Sequence, residues 1–233
     1  AEKVWHDKFG HIDHRGGGRS SGRETLSRVI AGALCEQALK KVSPKTEVVG
    51  WVSQIGEWLC DDSMATKSSR IDIDKLSARF PYRDTAFIGQ KLELAKANGE
   101  SYGGVAEILV KNPPASLGQP VFRKLKADLA SAAMSLGATL GVDFAEGFTS
   151  IEKPGTEFHS TQKISQYGGI QGGISTGQTI RFRVFFKPTS SILDVAKQGR
   201  HDPCIVPRAV PVLEAMTSFI LFDHWLWSKT DQI

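Results

Sequence analysis

The stretch from His14 to Thr25, HRGGGRSSGRET, sets a run of three glycines among arginines and serines at the entrance to a helix. A glycine-rich turn exposes backbone N–H groups, and the following helix aims its unsatisfied amides and positive dipole end at the same point. Ser20 and Ser21 can cap that helix or donate to an anion. Arg19 and Arg23 add charge-assisted bonds suited to phosphate or carboxylate oxygens. The chemistry on offer is anion binding, and a loop with solvated arginines is the plainer alternative. No Gly-Lys-Ser/Thr follows as in a Walker loop, and no GxGxxG lies between a strand and a helix.

Two more segments carry similar groups. In KPTSSI, Lys187, Thr189, Ser190 and Ser191 close a strand, an arrangement able to hold a phosphate or ring carbonyls, or to form an ordinary polar turn. Upstream, YGGIQGGISTG (Tyr167–Gly177) has five glycines, which let backbone approach a flat ligand or make a loose hairpin. In GRHDPCIVPRAVPVLEAM, the residues Arg200, His201 and Asp202 precede a second helix, with Arg208 just inside it. Adjacent His and Asp need not point the same way, so no acid–base dyad follows from their order. Cys204 reads as a packing residue, for no partner base is specified. His6, His11 and His14 lack metal-ligand spacing, and His159 and His224 read as structural.

The elements that must position these groups follow from periodicity. Apolar residues at helical spacing from Leu26 to Ala38 predict a helix over Glu24–Lys41, with Glu24 and the pair Lys40, Lys41 placed to suit its dipole. Thr46–Trp58 and Tyr102–Asn112 read as strands, Thr85–Ala97 as a helix, and the rest of Asp61–Asn98 as polar connection. Asn112–Pro120 is a rigid loop and Val121–Leu136 an amphipathic helix. Gly141–Phe148 is a short strand. From Ile180 a strand alternates Ile180, Phe182 and Val184 against Arg181 and Arg183, and Pro207–Trp227 is a long apolar helix. The order of strands and helices gives α+β.

With 233 residues the chain can bury a sizeable core, and a net charge of +4 is small for a dedicated nucleic-acid binder. Three cysteines without CxxC spacing suggest reduced thiols in a cytoplasmic setting. No run approaches the roughly 18 apolar residues of a membrane span, and nothing reads as a signal peptide.

Taken together and in order, HRGGGRSSGRETLSRVIAGAL, GGIQGGISTGQ followed by KPTSSI, and GRHDPCIVPRAVPVLEAM closely resemble the signature segments of the chorismate synthase family. ESYGGV, NPPASLGQPVF and AMSLGATLGVDFAEGF are similar to its connecting segments, so the resemblance runs to about Trp227. It implies a β-α-β sandwich of antiparallel sheets enclosing helices, a single domain over residues 1–233, and a homotetramer. It implies anti-1,4-elimination of phosphate from 5-enolpyruvylshikimate 3-phosphate to give chorismate, with reduced FMN that is not consumed. NADPH is then the indirect reductant, through the enzyme itself or a separate flavin reductase, with no nucleic-acid or membrane partner. By matching positions, Arg19, Ser20, Ser21, Gly137, Ala138, Gly172, Lys187, Pro188, Thr189, Ser190, Ser191 and Arg200 would contact FMN. Arg23 and Arg200 would meet the substrate's anionic groups, and Asp202, with Ser21, would serve catalysis, Asp202 near flavin N5.

The family's two acid–base histidines, one in a Gly-Glu-Ser-His-Gly motif and one directly before the alanine matching Ala1, lie outside this sequence. Ser191–Arg200 and the region around Glu157–Ser165 are shorter than in the family. The adopted expectation is the ordered part of a longer enzyme, with backbone interruptions at Ser191–Arg200 and Glu157–Gln166. The alternatives are a fragment or a degenerate relative acting as a structural or assembly subunit.

Overall fold

A computed structural model describes residues 2–13, 18, 21–160, 164–190, 192–193 and 202–231. Most of the interruptions expected at Ser191–Arg200, and residues 161–163 of the earlier one, lie outside that set.

Alternation builds the sheet. Strands β1 (Glu47–Ile55), β2 (Trp58–Leu59), β3 (Gly104–Lys111), β4 (Thr139–Phe144) and β7 (Ile180–Phe186) form one antiparallel sheet in the order β2-β1-β3-β7-β4. A separate two-stranded ribbon joins β5 (Ile170–Gln171) to β6 (Ile174–Ser175). Ile180, Phe182 and Val184 point into the core as the alternation predicts, beside Val48, Val52, Ala106, Ile108 and Val110. The strand expected over Thr46–Trp58 breaks at Gly56, whose φ of 53° turns the chain back into β2.

Helices α6 (Leu125–Met134) and α8 (Val206–Trp227) lie on that apolar face and α2 (Thr25–Val42) packs on α8, with a short α7 (Gly155–Ser160) between α6 and α8 in the chain. They and the sheet make the α+β layering that the sequence implies. Helix α6 starts four residues later than its apolar pattern suggests. Arg123 holds a left-handed φ of 62°, which a helix cannot continue through, and Val121 and Phe122 stay exposed. Helix α2 presents Leu26, Ile30 and Leu34 to solvent on the side away from the sheet. A short α1 (Glu2–Phe9), absent from the sequence reading, precedes the glycine-rich loop.

The opposite face of the sheet is covered in part. The supposed connection after Asp61 contains α3 (Asp62–Lys67) and α4 (Arg70–Asp74), and the helix expected over Thr85–Ala97 forms as α5 (Phe87–Asn98), whose Ile88 joins the main core. Asp61 caps α3, and Ser69 and Asp72 form a capping box on α4. Ala65 and Ile73 then bury Val49, Trp51 and Leu109. Over β7 and β4 the same face carries ion pairs. Arg183 clasps Asp143 at 2.9 and 2.5 Å, and Arg181 bonds Glu107 and, at 2.6 Å, Asp62. Burial pushes the Glu107 carboxyl up, against the pull of Arg181.

Close approach fixes the helical layer. A Cβ on Gly50 of β1 would come within 2.7 Å of Ile108 and 2.8 Å of Val210, and one on Gly32 of α2 would overlap the Ala215 carbonyl. At this crossing the Glu214 carboxylate, 1% exposed, accepts the Gly50 N–H at 2.7 Å. Arg70 Nε lies 3.2 Å and Arg79 Nη1 3.6 Å from its second oxygen, and Arg70 also clasps Glu36 of α2.

Burial drives the Glu214 carboxyl up to about 7, despite Arg70, the Gly50 N–H and Arg79. The folded chain therefore keeps this proton where the unfolded chain has released it. The resulting stabilisation is complete below the unfolded value near 4.5 and fades as pH rises through about 7. Thermal melts at pH 5 and pH 8 should show a larger loss of stability for wild type than for Glu214→Gln. Equal losses would remove Glu214 as the titrating group.

Candidate functional site

One end of the sheet gathers the candidate residues. There β3 begins and β7 ends, Gly104 opposite Phe186, and β4 starts beside them with Thr139 opposite Phe186. Past Phe186 the chain runs through Lys187–Ser190. The Lys187 N–H donates to the Ala138 carbonyl at 3.0 Å. Ala138 holds a left-handed φ of 68°, unusual for a residue with a Cβ and costing about 1–2 kcal/mol. Its carbonyl is thereby engaged by the Lys187 N–H.

From the other side comes Asp202. The Thr189 hydroxyl donates to the Asp202 carbonyl at 3.1 Å. The Asp202 carboxylate, half-buried, lies 2.9 Å from Nη2 of Arg208 in the first turn of α8. That guanidinium is 76% exposed, so the pair contributes at most about 1 kcal/mol. Cys204, two residues on, is buried, and burial pushes its thiol up to about 11, which suits packing and not nucleophilic work.

The start of α2 reaches the same end through Arg28. Its Nη1 donates to Ser135 Oγ at 2.5 Å and its Nη2 to the Ser135 carbonyl at 3.4 Å, while Nη2 also pairs with Glu24 at 2.9 Å. Ser135 leads directly into Gly137 and Ala138. Ser21 caps a 3-10 turn, Gly22–Glu24, that leads into α2, and not α2 itself; its Oγ accepts the Arg23 N–H at 3.3 Å. Arg23 is exposed.

Thus Ala138, Lys187, Thr189 and Asp202 share one rim, joined by hydrogen bonds among residues far apart in sequence, and Arg28 ties the first turn of α2 to Ser135 nearby, while the printed bonds of Ser21 and Arg23 stay within their own turn. Gly172 does not join them. Its hairpin meets the opposite end of α6, where the Leu125 N–H donates to the Gly173 carbonyl at 2.8 Å, and the ten-residue α6 spans about 15 Å. Arg19, Ser20, Ser191 and Arg200 lie outside the described residues, as does His201.

The donor set fits the anionic end of a flavin mononucleotide. Lys187 is exposed, and its ammonium bonds only the Pro188 carbonyl among the described residues, at 3.3 Å. Ser190 and Pro188 are exposed beside it, and at Gly137 a Cβ would meet nothing within 4 Å, leaving backbone open to a flat group. No group of three His, Cys, Asp or Glu among the described residues could hold a metal. His224 is buried, with Nε2 3.0 Å from Asp128, a packing role.

Comparison with known proteins agrees with the sequence resemblance. The family model described as chorismate synthase matches residues 1–226. A chorismate synthase of Bdellovibrio bacteriovorus is 59% identical over 233 residues, covering 100% of this chain and 68% of that protein. One from Opitutus terrae is 40% identical over 249 residues, covering 97% of this chain and 68% of its own length. A crystal structure of a chorismate synthase superposes with a TM-score of 0.74 at 26% identity, covering 90% of this chain and 65% of that one. The chain thus spans about two thirds of the length of these relatives. No helix among the described residues is long and apolar enough to cross a membrane.

Arg28→Ala removes the tie between the two helix ends. Amide exchange should then rise together at Gly22–Leu26 and Ser135–Ala138, by roughly tenfold to a hundredfold for loss of charged bonds, with β3 unchanged. Independent responses of the two segments would show that Arg28 does not couple them.

Proposed function

The chain belongs to the chorismate synthase family, and from that premise we propose that it is one domain of a lyase that eliminates phosphate from 5-enolpyruvylshikimate 3-phosphate, in the anti-1,4 sense, to give chorismate. The observation that carries this reading is the convergence of Lys187, Ala138, Thr189 and Asp202, from three separate segments, on one rim with the start of α2.

Reduced FMN, when bound, lends electron density as phosphate departs and is not consumed. Lys187, Pro188, Thr189, Ser190 and Ser191, with Arg19, Ser20, Ser21, Gly137, Ala138 and Arg200, would hold it. Arg23 and Arg200 meet the substrate's phosphate and carboxylates. These cations stabilise charge that develops on the leaving phosphate, the term that contributes most in such sites. Asp202 holds or releases a proton beside the flavin, and the Arg208 guanidinium orients its carboxylate. Ser21 completes the helix-start donor set. By the family resemblance, the remaining acid–base groups would come from histidine-bearing segments that this sequence does not include.

The reading extends to a cytoplasmic homotetramer, with flavin reduced at the expense of NADPH by the enzyme or by a separate reductase. The names carried by the relatives support the lyase reading, and the tetramer, the cytoplasmic setting and the NADPH-linked reduction rest on the family resemblance.

Flavin fluorescence titration of full-length protein tests the site. Lys187→Ala loses a charge-assisted contact worth about 1.5–3 kcal/mol, so FMN should bind roughly tenfold to a hundredfold more weakly. Unchanged affinity would detach this loop from the flavin. Asp202→Asn keeps shape but cannot accept a proton, so kcat should fall by about 10²–10⁴ with little change in substrate KM. Wild-type turnover in that variant would leave Asp202 a structural residue. Full-length protein that neither binds FMN nor turns over would favour a non-catalytic relative that keeps the fold.

A further inference from the structure

Between α5 and β3 lie five residues, Gly99 to Gly103, to which the proposed reaction assigns no part; the Glu100 carboxylate accepts the neighbouring Ser101 N–H at 2.8 Å. Their contacts nonetheless fall on both halves of the candidate site. The Gly99 carbonyl accepts the Leu193 N–H at 2.7 Å, just past the Lys187–Ser190 loop. Gly99 itself sits at φ 68°, and a Cβ there would come 2.8 Å from the Leu193 carbonyl. The Ser101 hydroxyl, buried, donates to the Thr189 carbonyl at 3.0 Å. The Tyr102 N–H donates to the Pro203 carbonyl at 2.7 Å, one residue past Asp202. Gly103 lies so close beneath the loop that a Cβ would stand 2.5 Å from the Phe186 carbonyl and 3.1 Å from the Pro188 ring. The Trp58 ring packs edge-on to Tyr102 with centroids 5.0 Å apart, and the Gly56 N–H donates to the Gly103 carbonyl at 3.0 Å, so the segment is itself tied to the β1–β2 turn.

We propose that Gly99–Gly103 is a positioning bracket in which Ser101 and Gly103 set the separation between the Lys187–Ser190 loop and the Asp202 segment. The inference rests on the flavin reading of that loop. It explains why Thr189 spends its hydroxyl proton on the Asp202 carbonyl: Ser101, Thr189 and Asp202 form one chain of bonds from the bracket to the carboxylate's own backbone. A shift of either contact by a fraction of an ångström moves the anion-holding group relative to the proton-holding group, and misplacement on that scale is costly in catalysis. Neither Ser101 nor Gly103 touches the reacting atoms.

The test uses full-length enzyme, with FMN titration, steady-state kinetics and thermal melts read together. Ser101→Ala removes one hydrogen bond without adding volume. It should lower kcat by about fivefold, with substrate KM within about twofold and the melting temperature nearly unchanged. Gly103→Ala lifts the loop and should weaken FMN binding by at least about tenfold. A Ser101→Ala enzyme with wild-type kcat and wild-type FMN affinity overturns the bracket while the flavin reading stands. Wild-type enzyme that binds no FMN overturns the flavin reading and the bracket with it.

Discussion

Two glycines decide where the rest of the molecule stands. Gly50 lets α8 lie directly on the sheet, and Gly32 lets α2 cross α8 with backbone nearly touching backbone. A larger residue at either crossing would raise a helix off its support and open the core, at a cost of the order of 1–3 kcal/mol or more. The approach also brings Glu214 to the edge of β1, where β2 pairs only with Gln54 and Ile55 and leaves the Gly50 N–H without a strand partner. Helix packing and backbone satisfaction are thus solved by one contact. With the crossings set, α8 begins beside Tyr102 and Pro203, and α2 begins beside Ser135, both at the end of the sheet where β7 exits.

The far face of the sheet answers a different need. Glu107, Arg183 and Asp143 stand in one row across β3, β7 and β4. Two buried carboxylates there are each matched by a guanidinium, and removing one partner of such a pair costs about 3–5 kcal/mol. A slip of β7 by one residue would drive Arg181 and Arg183 into the apolar face and turn Phe182 out. The row of charges therefore specifies register, which apolar alternation alone would leave easier to shift.

Much of this was legible in the residues. The alternation at Ile180–Val184 and the apolar runs of α2 and α8 named the sheet strand and the two long helices. Besides α1, three features escaped for local reasons. Gly56 interrupts a run of β-formers without lowering its apolar character. Arg123 takes a left-handed conformation that no pattern of hydrophobicity announces. Helices α3 and α4 bury one residue each, Ala65 and Ile73, too few to give a period, and only their caps at Asp61 and Ser69 mark them. At the site, resemblance pointed to the loops but not to their mutual contacts. Ser101 and Thr189, or Arg28 and Ser135, meet only after the chain has folded, and no spacing in the sequence links residues about a hundred positions apart. Gly172, grouped with the others by resemblance, stands an α6-length away for the same reason: its partners are at the other end of the helix.

Two sets of cations among the described residues differ in what holds them. Arg70, Arg79, Arg181 and Arg183 face carboxylates that are nearly inaccessible to solvent, and a ligand could recruit them only by stranding a buried charge. Lys187 and Arg208 stand exposed at the rim, where exchanging water or a surface ion pair for a ligand's oxygens costs little. The rim can afford this because its loops are fastened by other means: the Lys187, Tyr102 and Leu193 N–H groups and the Ser101 and Thr189 hydroxyls, all bonded to backbone carbonyls. Backbone and hydroxyl bonds build the rim, and its exposed cations remain available to an anion. A site assembled the other way, with its loops clamped by salt bridges, would have to break its own framework to bind phosphate.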